Sequence, residues 1–300
     1  MNSALSLEQR RMLCNVAIQA AKEAGQWVEQ FNAHKLQRVF KDTGSSEASQ
    51  LVTEVDIRSE EIIRQRLHKE SEALNIAFVG EESSFSISEN AHERFEKPYF
   101  WCVDPLDGTL PYVEGRAGYA VSIALVAQTG KPLIGVVYDP SCRTVYHAIK
   151  GQGIYRNSTP LHKAKGVPTS LTVYADTSFK IHERYESALV ALNECAKALG
   201  LGDVTFVYGN GAVKNACHVL ESNHACYLKL PKKQEGGGSI WDYAATACIA
   251  DEIGGWASNI HGQPLAFNPQ GSTFMNRDGI IFASNGHIAS CLIDALFLEK

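Results

Sequence analysis

The sequence predicts a mixed α+β and α/β fold with two lobes, an antiparallel-sheet lobe over residues 1–168 and an alternating lobe over residues 169–300. The first lobe is indicated by three apolar segments at 120–126, 134–138 and 143–149, which are separated only by short turns, as in an antiparallel meander. The second lobe is indicated by alternating strand-like and helix-like segments, which are typical of βαβ units. A chain of 300 residues is long enough to bury a substantial core.

The elements of the first lobe follow one another in a simple order. Apolar residues at helical spacing predict one long helix over residues 6 to about 32. The polar, Gly- and Ser-rich residues 41–50 predict a mobile loop that could cover a site as a flap. A second helix is predicted from 56 to about 70, because an acid in its first turn complements the helix dipole. Apolar runs at 76–79 and 99–103 predict strands.

The elements of the second lobe alternate between strand and helix. They are predicted as strand 171–175, helix 182–199, strand 204–207, helix 212–222, strand 225–229, helix 242–253, strands near 256–258 and 279–284, and a last helix to about 299. Gly254 and Gly255 are expected to stop the helix that precedes them. The glycine run 236–238 leads directly into Trp241 and Asp242, so we interpret it as a tight loop at a site rather than as a linker.

Composition excludes several functional classes. A net charge of −5 argues against a nucleic acid polymer as partner, since such a surface would be basic. No stretch approaches the ~18 apolar residues that cross a bilayer, and the N-terminal residues lack a signal-peptide pattern. The eight cysteines form no Cys-x-x-Cys pair, which predicts reduced, buried thiols rather than a zinc site. We therefore expect a cytoplasmic protein, monomer or homodimer, without membrane attachment and with a small-molecule partner.

Four acidic motifs occur along the chain. In order they are Val52-Thr53-Glu54-Val55-Asp56, Gly80-Glu81-Glu82, Asp104-Pro105-Leu106-Asp107-Gly108-Thr109 and Trp241-Asp242-Tyr243-Ala244-Ala245. Asp104 stands where an apolar strand ends, and Pro105 turns the chain without supplying an N–H group. If acids from several motifs met in one pocket, they would repel one another unless divalent cations compensated their charge. Oxygen ligands suit Mg²⁺, so the motifs predict a magnesium site.

This ordered set of motifs, spread over residues 52 to 255, resembles that of the inositol monophosphatase superfamily of lithium-sensitive, magnesium-dependent phosphomonoesterases. The resemblance implies a layered αβαβα sandwich with the active site between its two halves. It implies a magnesium-dependent phosphoric monoester hydrolase that acts on a small phosphorylated metabolite. Two or three Mg²⁺ ions per active site are expected. Lithium sensitivity is expected because a small monovalent ion can occupy a metal position without supporting the chemistry.

The resemblance also implies which groups bind the metal ions. Glu81, Asp104 and the carbonyl group of Leu106 would bind one ion. Asp104, Asp107 and Asp242 would bind another. Taken alone, Asp242 at a helix N-terminus is better explained as a structural cap. Its place in the ordered set of motifs favours the ligand role.

The same resemblance implies a catalytic water molecule. Asp56 would accept a hydrogen bond from Thr109, whose oxygen orients and helps to deprotonate the water together with Glu81. Gly108 lets the backbone approach the phosphate closely, and its amide with that of Thr109 would begin an anion-binding turn. In-line attack by water needs no nucleophilic side chain, so no phosphoenzyme is expected.

The substrate is predicted from the second lobe. The blocks 209–214 and 227–233 resemble the 3′(2′),5′-bisphosphate nucleotidase branch, which favours adenosine 3′,5′-bisphosphate, with Lys214 meeting the second phosphate. Glu235, six residues before Trp241, instead matches the inositol branch, so inositol-1-monophosphatase is the alternative. The residues expected to contact substrate are Asp107, Gly108, Thr109, Lys214, Glu235 and Asp242.

Two other interpretations stay open at the level of sequence. Haloacid-dehalogenase phosphatases also end a strand with Asp…Asp-Gly-Thr, but one residue separates their acids and the strand comes early in the chain. Here two residues separate Asp104 and Asp107, and about one hundred positions precede them. A catalytically silent relative that binds metal or phosphate for regulation is the second interpretation. Against it, every expected ligand is present.

Overall fold

The computed structural model describes residues 4–30, 38–40, 51–84, 92–163, 166 and 169–297. Within these ranges the chain forms eight α-helices and fourteen strands. The helices are α1 Leu7–Gln30, α2 Glu54–Leu74, α3 Glu81–Ser84, α4 Thr109–Val113, α5 Tyr185–Ala198, α6 Ala212–Glu221, α7 Ile240–Ile253 and α8 Gly286–Phe297. The strands are β1 Arg38–Phe40, β2 Leu51–Thr53, β3 Ile76–Gly80, β4 Tyr99–Asp107, β5 Ala120–Ala127, β6 Pro132–Asp139, β7 Thr144–Ile149, β8 Ile154–Arg156, β9 Thr159–Pro160, β10 Ser170–Ala175, β11 Asp203–Tyr208, β12 Ala225–Lys229, β13 Trp256–Ser258 and β14 Ile280–Ala283.

Two large sheets organise these elements. The first sheet has seven strands in the order β3-β4-β5-β6-β7-β8-β9, and neighbours are antiparallel except for the parallel pair β3 and β4. The second sheet has five strands in the order β11-β10-β12-β14-β13, with β10 parallel to both of its neighbours. A two-stranded antiparallel ribbon of β1 and β2 completes the strands. The parallel β10, β11 and β12 are connected through α5 and α6, as the predicted βαβ alternation requires.

Apolar side chains hold the sheets and helices in five layers. One core cluster lies between the first sheet and the pair α1 and α2, and includes Leu13, Ile63 and Trp101. A second cluster joins both sheets to α6 and α7 between them, and a third packs α5 and α8 on the outer face of the second sheet. The order is therefore helices, sheet, helices, sheet, helices, which confirms the predicted αβαβα sandwich.

Most predicted elements are confirmed to within a few residues, and the differences have physical causes. β4 continues to Asp107 instead of ending near residue 103, because an irregularity in its pairing keeps the acids within the strand. The strands β8 and β9 and the short helix α4 were not predicted, since segments of two to five residues carry too little periodicity. The predicted loop 41–50 lies outside the described residues.

Three further expectations concern the whole chain. All eight cysteines are unpaired, as predicted, and Cys142 alone of the eight is exposed. Every helix in the described ranges is too short or too polar to span a bilayer. A division into lobes near residue 168 stays a prediction, because the central core cluster draws residues from both sheets.

Candidate active site

The acids of β4 reach one side of the sheet because the strand carries a bulge. Asp104 pairs with Ser122 on β5, and Asp107 pairs with Ala120, so three steps along β4 face two steps along its neighbour. In a regular strand, residues three apart point to opposite faces. The extra residue corrects this alternation, as bulges beside active sites often do. Pro105 fits within the bulge because it has no N–H group to leave unpaired.

Three carboxylates converge where β4 ends and α7 begins. Oxygen atoms of Asp104, Asp107 and Asp242 all lie within 4.8 Å of one another. Asp104 and Asp107 are buried, and Asp242 is half-buried. Burial raises the pKa of Asp104 well above its usual value, and the charges of Glu81, Asp107 and Asp242 raise it further. The pKa of Asp107 is likewise raised, first by burial and then by Asp242. The cluster therefore holds negative charge only at a cost that a cation would remove.

Asp107 is held by the first turn of α6. Its two carboxylate oxygens accept hydrogen bonds from the amides of Ala212 and Val213 at 2.9 and 3.0 Å. A carboxylate at a helix N-terminus is stabilised by the unpaired amides and by the helix dipole. Gly211 makes the approach possible, because a Cβ there would lie 2.2 Å from Asp107 Oδ2.

Asp242 lies in the first turn of α7 and has two kinds of contact. Its Oδ2 accepts a hydrogen bond of 2.7 Å from the amide of Ser239, so the structural cap considered for this residue is present. The same carboxylate belongs to the cluster with Asp104 and Asp107. Burial raises the pKa of Asp242, while the nearby ammonium group of Lys229 lowers it. Capping and metal binding are therefore compatible at this position.

The turn after β4 has little room for side chains. Gly108 adopts φ 82°, and a Cβ on it would lie 2.7 Å from the carbonyl oxygen of Gly118. The hydroxyl of Thr109 donates to the carbonyl oxygen of Leu106 at 3.2 Å. A hydroxyl donates one hydrogen bond at a time, so the predicted bond from Thr109 to Asp56 would require this hydroxyl to rotate. That bond stays a prediction, as does the Leu106 carbonyl as a metal ligand.

Glu81 and Asp56 lie close enough to act on the cluster. Both charges raise the pKa of Asp104, with Glu81 the stronger of the two. Glu81 opens α3 at the end of β3 and is half-buried, whereas Asp56 is buried on α2. Glu81 lies outside the group whose oxygens are within 4.8 Å of one another, so its predicted place on the metal stays a prediction.

Two residues of α2 that the sequence analysis did not single out shape this region. Glu60 accepts hydrogen bonds from the amides of Glu82 and Ser83, at 2.8 and 3.2 Å, and so fixes the turn that presents Glu81. Ser59 donates to the carbonyl oxygen of Pro105 at 2.8 Å and supports the bulge. Both are buried on the apolar face of α2. Polar residues in a buried helical stripe were the signal that could have revealed them.

Lys214 and Glu235 do not join the acidic cluster. Lys214 is buried, and its Nζ lies 2.5 Å from Oδ2 of the buried Asp139. A second phosphate would have to displace this carboxylate, which argues against the predicted contact. Glu235 is exposed in the loop before α7. Asn276 holds that loop by donating to the carbonyl oxygens of Lys232 and Gln234, both at 2.8 Å.

A different lysine lies beside the cluster. Lys229 ends β12, and its Nζ is 2.7 Å from Oδ2 of Asp176, which follows β10. The hydroxyl of Tyr227 donates to the other oxygen of Asp176 at 3.1 Å. Since β10 and β12 are parallel neighbours, their C-terminal ends meet at one edge, where ligands of open α/β sheets commonly bind. Lys229 was within a segment singled out from the sequence, but Asp176 was not predicted.

The cluster fits a hard divalent cation. It offers carboxylate oxygens without histidine or cysteine, a donor set that suits Mg²⁺. Its raised pKa values show that the carboxylates lack enough positive partners of their own. A cation held there and a phosphate bound to it would lie between the bulge of β4 and the first turns of α6 and α7.

Comparisons with known proteins agree with this geometry. Residues 9–296 match the inositol monophosphatase family. Inositol monophosphatase 2 of Solanum lycopersicum is 31% identical over 289 residues, which cover 94% of this chain and 97% of that protein. The extragenic suppressor protein suhB from Bartonella henselae superposes with a TM-score of 0.74 at 24% identity, covering 96% and 100% of the two chains. SaIMPase-II with 2′AMP bound gives a TM-score of 0.70 at 23% identity, covering 96% of this chain and 95% of that chain.

All four acidic motifs lie within the matched residues, so the resemblance stated from the sequence is confirmed. The haloacid-dehalogenase interpretation does not hold, because the match extends over the layered fold as well as the motifs. Members of the matched family are phosphatases, that is, hydrolases of phosphoric monoesters. The chain therefore belongs to the inositol monophosphatase family and is a phosphoric monoester hydrolase.

Proposed function

We propose that this enzyme hydrolyses a small phosphate monoester with Mg²⁺ bound by Asp104, Asp107 and Asp242. The convergence of these three carboxylates within 4.8 Å carries the proposal. Glu81 and the carbonyl group of Leu106 would be the remaining protein ligands. The site would hold two or three Mg²⁺ ions. Bound Mg²⁺ supplies positive charge for the phosphate oxygens and lowers the pKa of a coordinated water molecule.

The remaining groups orient the reactants. Thr109 and Glu81 accept hydrogen bonds from the attacking water. The proton of the water passes to Glu81, or to the hydroxyl of Thr109 as that hydroxyl gives its own proton to Asp56. The amides of Gly108 and Thr109 face the phosphate, which the tight turn at Gly108 permits. Hydrolysis then proceeds by in-line attack of water, without a phosphoenzyme. The rigid bulge of β4 keeps the acids in place as charge moves from the water to the leaving alcohol.

We favour adenosine 3′,5′-bisphosphate as the substrate, with Lys229 rather than Lys214 near its second phosphate. A Cβ on Gly237 would lie 2.6 Å from Nζ of Lys232 and 3.9 Å from Cε of Lys229, so two lysines converge on this backbone. Burial and the charge of Lys229 lower the pKa of Lys232. Two ammonium groups that repel each other are a favourable place for a second anion. The charge of Lys229 also lowers the pKa of Asp242, which supports a position of Lys229 beside the proposed metal site.

Inositol 1-phosphate is the second candidate. Relatives in the comparisons carry the name inositol monophosphatase, and Glu235 has the spacing of the inositol branch. SaIMPase-II has been solved with inositol monophosphate and with 2′AMP, so one protein of this fold accepts both a cyclic polyol and a nucleotide. The exposed carboxylate of Glu235 would accept hydrogen bonds from ring hydroxyl groups of that substrate.

Release of phosphate from a substrate panel tests the proposal. The panel contains adenosine 3′,5′-bisphosphate, inositol 1-phosphate, fructose 1,6-bisphosphate and NADP, each assayed with Mg²⁺ and with excess chelator. We expect the highest kcat/KM for adenosine 3′,5′-bisphosphate, loss of activity in chelator and inhibition by millimolar lithium. Preference for inositol 1-phosphate would select the second candidate. Full activity in chelator would contradict the metal mechanism, and no turnover of any ester would favour the silent regulatory relative.

The setting of the enzyme is part of the same proposal. A cytoplasmic location is supported by the eight unpaired cysteines, because free thiols persist in reducing compartments. We propose a monomer or homodimer that acts on a free metabolite. Cell fractionation and light scattering of the purified protein measure these two properties.

A further inference from the structure

Helix α6 connects the proposed metal site to a buried ion pair. Its first amides, those of Ala212 and Val213, hold both carboxylate oxygens of Asp107. The next residue, Lys214, extends from the same turn, and its Nζ lies 2.5 Å from Oδ2 of Asp139 at the end of β6. One helical turn of the second lobe thus contacts two acids of the first sheet, one in the cluster and one outside it.

The ion pair is built into the core and is shielded from water. Lys214 and Asp139 are 4% and 3% exposed. The other oxygen of Asp139 accepts a hydrogen bond of 2.6 Å from the hydroxyl of Ser141, so the carboxylate is fixed from both sides. Burial acts to lower the pKa of Lys214. The charge of Asp139 and its hydrogen bond are among the causes that act in the opposite direction, and the pKa is raised overall. Removing one partner of such a pair leaves an uncompensated buried charge, which forces the local structure to rearrange.

The start of α6 has no freedom to move without disturbing Asp107. The amide of Gly211 donates to the carbonyl oxygen of Gly118 at 2.7 Å. A Cβ on Gly211 would lie 2.7 Å from the amide nitrogen of Gly108, in addition to its close approach to Asp107. Apolar side chains of α6 that pack in the central core also hold the helix. The ion pair of Lys214 adds a polar contact from the same first turn to the first sheet, so a change there would shift the amides that bind Asp107.

We propose that Lys214 and Asp139 are positioning residues that orient Asp107 for the divalent cation through the first turn of α6. Lys214 thereby affects the metal without touching it or the substrate. The proposal rests on the proposed function, since it takes Asp107 to be a metal ligand. Residues that hold a metal ligand in place typically change metal affinity by about 10–100-fold when they are mutated.

Direct binding of Mn²⁺, a probe for the Mg²⁺ site, measured by calorimetry tests the proposal. We expect Lys214→Met and Asp139→Asn each to raise the Kd for Mn²⁺ about tenfold. Because each residue acts through the other, the double variant is expected to bind Mn²⁺ about as weakly as either single variant. In assays, the Mg²⁺ concentration for half-maximal activity rises in all three, while kcat at saturating Mg²⁺ changes by less than about threefold.

Lys163→Met is the matched control. Lys163 is a half-buried lysine that anchors the chain without an acidic partner in the described contacts, since it donates to the carbonyl oxygens of Gly254 and Ser284. Gly254 follows the C-terminal end of α7, whose 14 residues place it about 20 Å from the Asp242 end. This variant is expected to lower the melting temperature without changing the Kd for Mn²⁺.

The outcomes separate the proposal from the function on which it rests. Wild-type Mn²⁺ affinity in Lys214→Met or Asp139→Asn, with a lowered melting temperature as in Lys163→Met, would overturn the positioning role. Strictly additive effects in the double variant would overturn it as well. If Lys214→Met does not fold, Asp139→Asn tests the same contact from the other partner. Asp107→Asn tests the metal site itself, and unchanged Mn²⁺ affinity there would refute the proposed function instead.

Discussion

Lys214 on α6 and Lys229 on β12 have different surroundings. Lys214 is buried against Asp139, on the helix whose amides hold Asp107. Lys229 is partly accessible, pairs with Asp176 and acts on Asp242 from the edge of the second sheet. Both lysines form ion pairs, and in the proposed function only Lys229 borders the space where substrate would bind. The charge of a lysine therefore indicates little until its acidic partner and its exposure are known.

The different roles assigned to the two lysines require that the acids of the cluster bind metal. Asp104→Asn removes a charged oxygen from the cluster, so we expect kcat to fall by more than about 100-fold. Residues that only hold a metal ligand in place typically change activity by about 10–100-fold when they are mutated. The melting temperature without Mg²⁺ should stay equal or rise, because the carboxylate is held against its neighbours' charges. Turnover and thermal unfolding measured on the same preparation check both statements. Retained turnover would remove Asp104 from the metal site.

The two lysines are also expected to differ in their effect on substrate preference. Lys229→Met should reduce kcat/KM for adenosine 3′,5′-bisphosphate about tenfold or more, since a hydrogen bond to a charged group contributes about 1.5–3 kcal/mol. Inositol 1-phosphate turnover should change less, because that ester has no second phosphate. Lys214→Met should affect both substrates equally through the metal. The exposed Lys233→Met is the control, and the same losses in Lys229→Met and Lys233→Met would contradict a subsite at Lys229.

The pH dependence of stability tests the acidic cluster independently of substrate. The folded-state pKa values of Asp104 and Asp107 are raised, so the folded protein binds protons that the unfolded chain has released. Stability of the metal-free protein should therefore fall as the pH rises above about 4. Mg²⁺ replaces those protons. The rise in melting temperature that Mg²⁺ causes should therefore be a few degrees larger at neutral pH than at acidic pH. The same increase at every pH would contradict the raised pKa values.

The smallest expected effect concerns Glu235. Because it is exposed, Glu235→Gln should change kcat/KM for adenosine 3′,5′-bisphosphate by less than about threefold. A larger loss on inositol 1-phosphate in the same variant would support contacts with ring hydroxyl groups. The ratio of the two kcat/KM values, compared between Glu235→Gln and wild type, is the measurement. A selective loss on adenosine 3′,5′-bisphosphate would place Glu235 against the nucleotide instead.

Sequence reasoning succeeded where neighbouring residues carry the information. Asp104 and Asp107 are close in the sequence, so a joint site could be predicted, although the turn expected at Pro105 is a bulge within β4. The convergence with Asp242 could be predicted because the ordered motifs resemble a known family. The alternation of β10, α5, β11, α6 and β12 was equally readable, because each element has enough residues to show its period.

It failed where the outcome depends on contacts between distant parts of the chain. Nothing near Lys214 in the sequence indicates that Asp139 at the end of β6 would pair with it. The parallel pairing of β3 with β4 depends on the course of the connection between them. Glu60 and Asp176 could be assigned only after the fold brought them to the amides and the ammonium group that they bind.

Anomalous scattering from crystals soaked in Mn²⁺ tests the central claim most directly. We expect a peak within ligand distance of carboxylate oxygens of Asp104, Asp107 and Asp242, at about 2.0–2.2 Å as for a Mg²⁺-like ion. In crystals of Lys214→Met the peak should weaken, whereas in Lys229→Met it should keep its height. Absence of a peak at the three acids in the wild-type protein, or a peak only elsewhere, would contradict the metal site and the mechanism built on it.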